Sequence, residues 1–157
     1  MPLVRAGVRS YTHPMHYSER LLIHIKQAER ITQAAKEAAV REAGITAAQQ
    51  AALAVLSDNP GINAAELARR LSVTPQTMNS LLGRLEARGL IARTPHPIHG
   101  TLIEIRMTER GAEVFAAADA LVAKLDARLA EGLSEAETAA VRDLLARIIR
   151  NAEAPGR

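Results

Sequence analysis

The chain has 157 residues, 20 basic and 17 acidic groups, a net charge of +3 and no cysteine. That length suits one domain or one intertwined subunit of a dimer, and the lack of thiols excludes disulfides, thiolate metal sites, cysteine nucleophiles and thiol-oxidation sensing. There is no run of about 18 apolar residues to span a membrane, and with two tyrosines, one phenylalanine and no tryptophan the chain lacks stacking platforms for single strands.

Residues 1–17 contain two prolines and no hydrophobic period, so they read as an N-terminal arm. Met1 to His16 also lacks the apolar block of a signal peptide, and a cytoplasmic location is expected. From Ser18 to Ala43 the pattern is helical, with Leu21, Ile25, Ala28, Ile31, Ala35 and Ala39 on one side and Gly44 at its end. An alanine-rich stripe packs closely but buries little surface per turn, so this helix needs a partner. Thr46 with Gln49 caps the next helix, which buries Ala52, Leu53, Val55 and Leu56 before Asp58-Asn59-Pro60-Gly61 turns the chain.

Asn63 with Glu66 starts a helix of about two turns, its apolar side made by Leu67, Ala68 and Leu71. Thr74 as N-cap and Pro75 at the first helical position open another, which ends near Arg88 because Gly89 suits the left-handed position beyond it. In this helix Met78, Leu81, Leu82 and Leu85 form the buried side, and Gln76, Asn79, Ser80 and Gly83 the opposite one. Short polar groups with a glycine suit a helix that approaches base-pair edges closely; a plain surface helix of weak propensity is the alternative. Leu90 to Arg93 then reads as a short strand and Thr101 to Met107 as an alternating one, with Pro95, Pro97 and Gly100 at the tip between them. Helix, turn, helix and hairpin in this order make a winged helix-turn-helix, whose second helix can enter the major groove while the hairpin reaches the minor groove.

Beyond it, a helix from Glu109 to about Ala130 carries Val114, Ala118, Leu121, Val122, Leu125 and Leu129, and Gly132 breaks it. Ser134 and Glu137 cap a last helix with Val141, Leu144, Leu145, Ile148 and Ile149 as its apolar face. The fold class is therefore mostly α with a small β-hairpin wing: a winged helix-turn-helix at residues 45–108, dimerisation helices at 18–44 and 109–151, and a polar tail at 152–157. The apolar stripes at both ends of the chain predict a homodimer, which would set two recognition helices about 34 Å apart, on successive turns of an inverted-repeat duplex.

The chain resembles the MarR family of transcriptional regulators. The resemblance rests on Ile45-Thr46 with Gln49, Glu66-Leu67-Ala68, Leu85-Glu86-Ala87-Arg88-Gly89-Leu90-Ile91, Thr108-Glu109-Arg110-Gly111 and Leu133-Ser134-Glu135-Ala136-Glu137, which run in the family's order. It implies a dimer that binds double-stranded DNA, most often as a repressor, and a small-molecule effector held between the dimerisation helices and the DNA-binding lobe. Two positions depart from the family's pattern: the wing tip reads Ile98-His99-Gly100-Thr101 in place of an Asp-x-Arg, and Ser80 stands where an arginine is common.

On this reading Gln76, Thr77, Asn79 and Ser80 are candidates for base contacts, and Thr74, Arg69, Arg84 and Arg88 for the DNA backbone, with Arg70 and Arg93 as further cations. His96, His99 and Thr101 belong to the wing, and His24, Leu53 or Phe115 could line an effector pocket. Residues 61–111 carry 7 basic against 4 acidic groups and residues 112–157 carry 6 against 8, so the positive excess lies on the DNA-binding half. The same arginines could merely solubilise the surface.

The histidines of His13-Pro14-Met15-His16 and His96-Pro97-Ile98-His99 are spaced as in some metal sites, but no carboxylate or thiolate adjoins them, so no metal or other cofactor is expected. With no glycine-rich phosphate loop and no acid pair set in a cleft, the chain is not expected to be an enzyme. Two alternatives to a DNA-reading dimer remain: a winged-helix interaction module that has lost specific DNA binding, and a histidine-based metal-responsive regulator.

Overall fold

The computed structural model describes residues 16–95 and 103–154. It contains six α-helices and one hairpin: α1 Leu21–Val40, α2 Ala47–Asp58, α3 Ala64–Arg70, α4 Pro75–Ala87, β1 Ile91–Pro95, β2 Ile103–Met107, α5 Glu109–Leu129 and α6 Glu135–Glu153. The chain divides into two units, one ending at Ala35 and the other starting at Lys36. The predicted helices are all present, their ends shifted by a few residues, and a short 3-10 turn at Arg41–Ala43 completes the first.

The first unit is the described segment up to Ala35, most of it the leading part of α1. Leu21, Leu22 and Ile31 there are more than half exposed, and Thr32 returns its hydroxyl to the Ala28 carbonyl at 2.8 Å.

The second unit holds the core. Leu53 and Leu56 from α2, Leu67 from α3, Met78, Leu82 and Leu85 from α4, Leu90 just before β1 and Ile105 from β2 are all buried. Full burial of each such side chain contributes roughly 1.5–3 kcal/mol, so the winged motif accounts for most of the apolar driving force. Local caps fix its helices. Thr46 Oγ1 accepts the Gln49 N–H at 3.2 Å while Gln49 Oε1 accepts the Thr46 N–H at 3.0 Å, and the Glu37 carboxylate takes the Ala47 N–H at 2.8 Å. Those bonds satisfy donors at the start of α2 that have no partner within the helix.

The strands β1 and β2 pair antiparallel, from Ile91 opposite Met107 to Pro95 opposite Ile103. The outer edge of β2 is also bonded, since the Gly61 N–H donates to the Ile105 carbonyl at 3.0 Å and the Ile105 N–H to the Ile62 carbonyl at 3.1 Å. The turn after α2 thus covers the outer edge of the two-stranded sheet at Ile105, which the sequence pattern did not reveal. Alternation along β2 also holds less well than its pattern suggests: Ile105 is buried and Met107 half-buried, but Ile103, at the end of β2 away from α5, is 45% exposed.

Gly111 sets how α5 leaves the hairpin. A Cβ there would overlap the Leu90 carbonyl oxygen and come within 2.8 Å of Met107 Cγ, so the helix starts against bare backbone. Thr108 secures the same junction, donating its hydroxyl to the Gly89 carbonyl at 2.7 Å and accepting the Gly111 N–H at 3.0 Å. The last helix is different. Although its Ser134–Glu137 capping box forms as predicted, α6 has no buried residue, and Val141, Leu144, Leu145 and Ile149 are 46–57% exposed.

Candidate nucleic-acid interface

The turn between α3 and α4 is built from short-range bonds. The Ser72 N–H donates to the Arg69 carbonyl at 3.2 Å and the Val73 N–H to the Ala68 carbonyl at 3.0 Å, which closes α3 and places Ser72 at φ 52°. That left-handed conformation normally falls to glycine or asparagine, so the serine carries some backbone strain. Thr74 Oγ1 then accepts the Thr77 N–H at 3.2 Å, and the two threonine hydroxyls lie 2.9 Å apart. Thr74 and Thr77 are therefore partly occupied by the cap that starts α4.

Beyond the cap, α4 shows two faces. Met78, Leu82 and Leu85 are buried and Leu81 is half-buried, whereas Gln76, Thr77, Asn79, Ser80, Gly83 and Arg84 are exposed. At 100° per residue, Gln76, Asn79, Ser80 and Gly83 fall on one ridge. The described side-chain hydrogen bonds do not engage Gln76, Asn79 or Ser80, so the ridge offers amide and hydroxyl groups to an outside ligand. No charge stands among them.

The arginines have separate surroundings. Arg69 holds the Glu66 carboxylate through Nε at 2.9 Å and Nη2 at 2.7 Å, and Arg70 adds a bond to Glu66 at 2.8 Å and one to the Asn59 side-chain oxygen at 2.9 Å. The hydrogen bonds from Arg69 and Arg70 hold the Glu66 carboxyl down at about 2, well below its ordinary 4.5. Glu66 therefore stays ionised at any physiological pH, and a DNA phosphate must compete with it for Arg69. Arg84 is exposed on the α4 surface. Arg88 is turned toward the start of α2, its Nη1 3.5 Å from Gln49 Oε1. Arg93 lies half-buried with its Nε 3.1 Å from Glu86, a charge pair in which the N–H is not aimed at the carboxylate.

Sequence reasoning did not find the open groove of about 570 Å³ lined by Asn63, Ala64 and Ala65 of the α3 start, Asn79 of α4, and Arg93, Ile103 and Ile105 of the hairpin. Residue type and spacing assign Asn63 a capping role but do not show that it lines one groove with Asn79 and Arg93, which come from two other elements.

Residues 43–100 match the MarR family. The HTH-type transcriptional repressor Rv2887 of Mycobacterium tuberculosis is 40% identical over 92 residues, covering 59% of this chain and 66% of that repressor, just under two thirds of its length. The HTH-type transcriptional repressor MdtR of Bacillus subtilis is 31% identical over 114 residues, 70% of this chain and 71% of its own length. Among solved structures, the transcriptional repressor CouR bound to a 23-mer DNA duplex superposes with a TM-score of 0.79 at 32% identity, covering 84% of this chain and 94% of CouR. The chain belongs to the MarR family.

As a MarR-family fold, the chain is mostly helical with a two-stranded antiparallel hairpin, and α3, α4 and that hairpin follow one another in winged-helix order. The wing positions His96, His99 and Thr101 lie outside the described residues, as does His13. Among the described residues there is no group of three or more side chains suited to a metal ion, and His16 is bonded to Ser18 at 2.7 Å. The three effector-pocket candidates have unlike surroundings: Leu53 is wholly enclosed in the core, Phe115 is half-buried against it, and His24 is exposed on α1 in the other unit.

Proposed function

We propose that this MarR-family chain is a cytoplasmic, homodimeric transcriptional repressor that binds an inverted-repeat site in double-stranded DNA. The observation that carries the reading is the exposed, uncharged ridge of Gln76, Asn79 and Ser80 on a helix fixed at its start by the Thr74 cap. Gln and Asn match the donor and acceptor pair of adenine in the major groove, and Ser is tolerant of several bases. Thr77 can add a hydroxyl at the same end. CouR and Rv2887, both solved with DNA, support the same partner for this chain. Arg84 is the best placed phosphate contact, while Arg69 reaches a phosphate only by leaving Glu66.

Dimerisation is supported by α6, whose four large apolar side chains are left about half exposed by the chain itself. Covering them would contribute roughly 1 kcal/mol each, about half the full-burial value. Two copies related by a two-fold axis would present two α4 ridges, and the site they select is then an inverted repeat. A small-molecule effector, the remaining part of the reading, would release the DNA by as much as it favours a dimer with mismatched ridges over the matched one.

Selection from a randomised duplex pool tests this. The full-length protein is expected to enrich a sequence with two-fold symmetry and half-sites about one helical turn apart. A pool that stays unenriched rejects the reading. One observation favours a second reading, a winged-helix interaction module without specific DNA binding: Glu66 holds both Arg69 and Arg70, which lowers the free positive charge of the motif. On that reading any duplex affinity is weak and alike for all sequences.

A further inference from the structure

Gly83 sits inside α4, a 13-residue helix, at the position where glycine is most costly, about 1 kcal/mol relative to alanine. Nothing among the described residues requires it. Its φ is not among the positive values, and a Cβ built there meets no atom within 4 Å. Elsewhere in the same motif the glycines have internal causes, such as the close approach at Gly111 and the left-handed φ of 67° at Gly89. A glycine without an internal cause, on an exposed helix face, points to a neighbour outside the chain.

Its place on the helix says which neighbour. Gly83 follows Gln76 by seven residues, so it lies within about 20° of the same ridge and about 10 Å further along the axis. The major groove is about 12 Å wide. A helix that enters the groove by its start, with Gln76, Asn79 and Ser80 at the base edges, brings Gly83 level with a flanking sugar-phosphate backbone one turn further on. There even one methyl group holds the helix axis away from the duplex. Arg84, the next residue, is exposed and able to bond the same phosphate.

We propose that Gly83 is a positioning residue for DNA binding: its bare Cα lets α4 sink until the Asn79 and Ser80 side chains reach base edges. This deepens the function proposed above and rests on it. The inference predicts opposite effects of one substitution on stability and on binding, which an ordinary solvated glycine does not.

The test compares full-length wild type with Gly83→Ala, using as probe the duplex that wild type enriches from a randomised pool. Gly83→Ala is expected to raise Tm by about 2–4 °C and to bind that duplex about tenfold more weakly, as if one good base contact were lost. Gly83→Ser should weaken binding at least as much. A control at Ala87, Ala87→Ser, adds a similar atom one turn on, past the groove, and should leave binding within about twofold. If Gly83→Ala is stabilised and still binds within twofold of wild type, the inference is overturned while the DNA reading stands. An unchanged or lower Tm also overturns it, because the glycine would then serve the fold. If wild type enriches no duplex, the DNA reading fails first and the inference with it.

Discussion

Ser72 shows how one residue can be both well placed and strained. The bonds that close α3 put it at φ 52°, where a side chain crowds its own backbone at a cost of about 1–2 kcal/mol. Replacing it with glycine relieves that crowding and adds some disorder to the unfolded chain, and the first effect is the larger. Ser72→Gly is therefore expected to raise stability by about 0.5–1 kcal/mol in urea unfolding with the m-value unchanged; a loss of stability would show that the serine side chain holds the turn. At this scale the sequence was only partly legible. The Thr46, Asn63, Thr74 and Ser134 caps could be placed because a cap is a local matter of residue type and spacing, and each accepts its bond as expected, but the return bond from Glu66 to the start of α3 is replaced by its bonds to Arg69 and Arg70. Arg88 could not be placed. Whether a guanidinium faces solvent or Gln49 depends on an element 39 residues away.

Among the elements, α4 and α6 stand at opposite extremes. Both are amphipathic in sequence, but α4 has its apolar side buried in the core and α6 has no buried residue at all. Periodicity reports that a helix has an apolar face; it does not report what covers it. If a second copy covers α6, a charge in the middle of that face must be desolvated on assembly. Leu145→Glu is therefore expected to shift the protein from dimer to monomer in sedimentation at micromolar concentration, with the amides of α3 and α4 still protected from hydrogen exchange. A variant that stays dimeric would place the interface elsewhere. The hairpin shows the converse limit. Its two strands could be read from alternation, yet the pairing of Gly61 and Ile62 with Ile105 involves a segment of two residues, too short to have a period.

For the whole molecule, the winged helix-turn-helix emerged from the sequence because its elements are adjacent in the chain and each carries its own cap, turn and apolar side. The expected homodimer rests on less, since both the sequence and the fold express it only as apolar surface that the chain leaves uncovered on α6. Net charge was also a poor guide: of the arginines in the motif, Arg69 and Arg70 are taken by Glu66 and Arg93 pairs with Glu86, while Arg84 stays exposed, so the proposed reading rests its specificity on the uncharged ridge of α4. Uncharged contacts discriminate among sequences, whereas phosphate contacts bind all duplexes alike. The most direct measurement is the ratio of affinities for the selected duplex and for a shuffled duplex of the same composition, at about 150 mM salt, with the number of chains bound per duplex. The account predicts two chains on the selected duplex and a preference of about a thousandfold or more. Equal affinity for both duplexes, or a single chain bound, would contradict it.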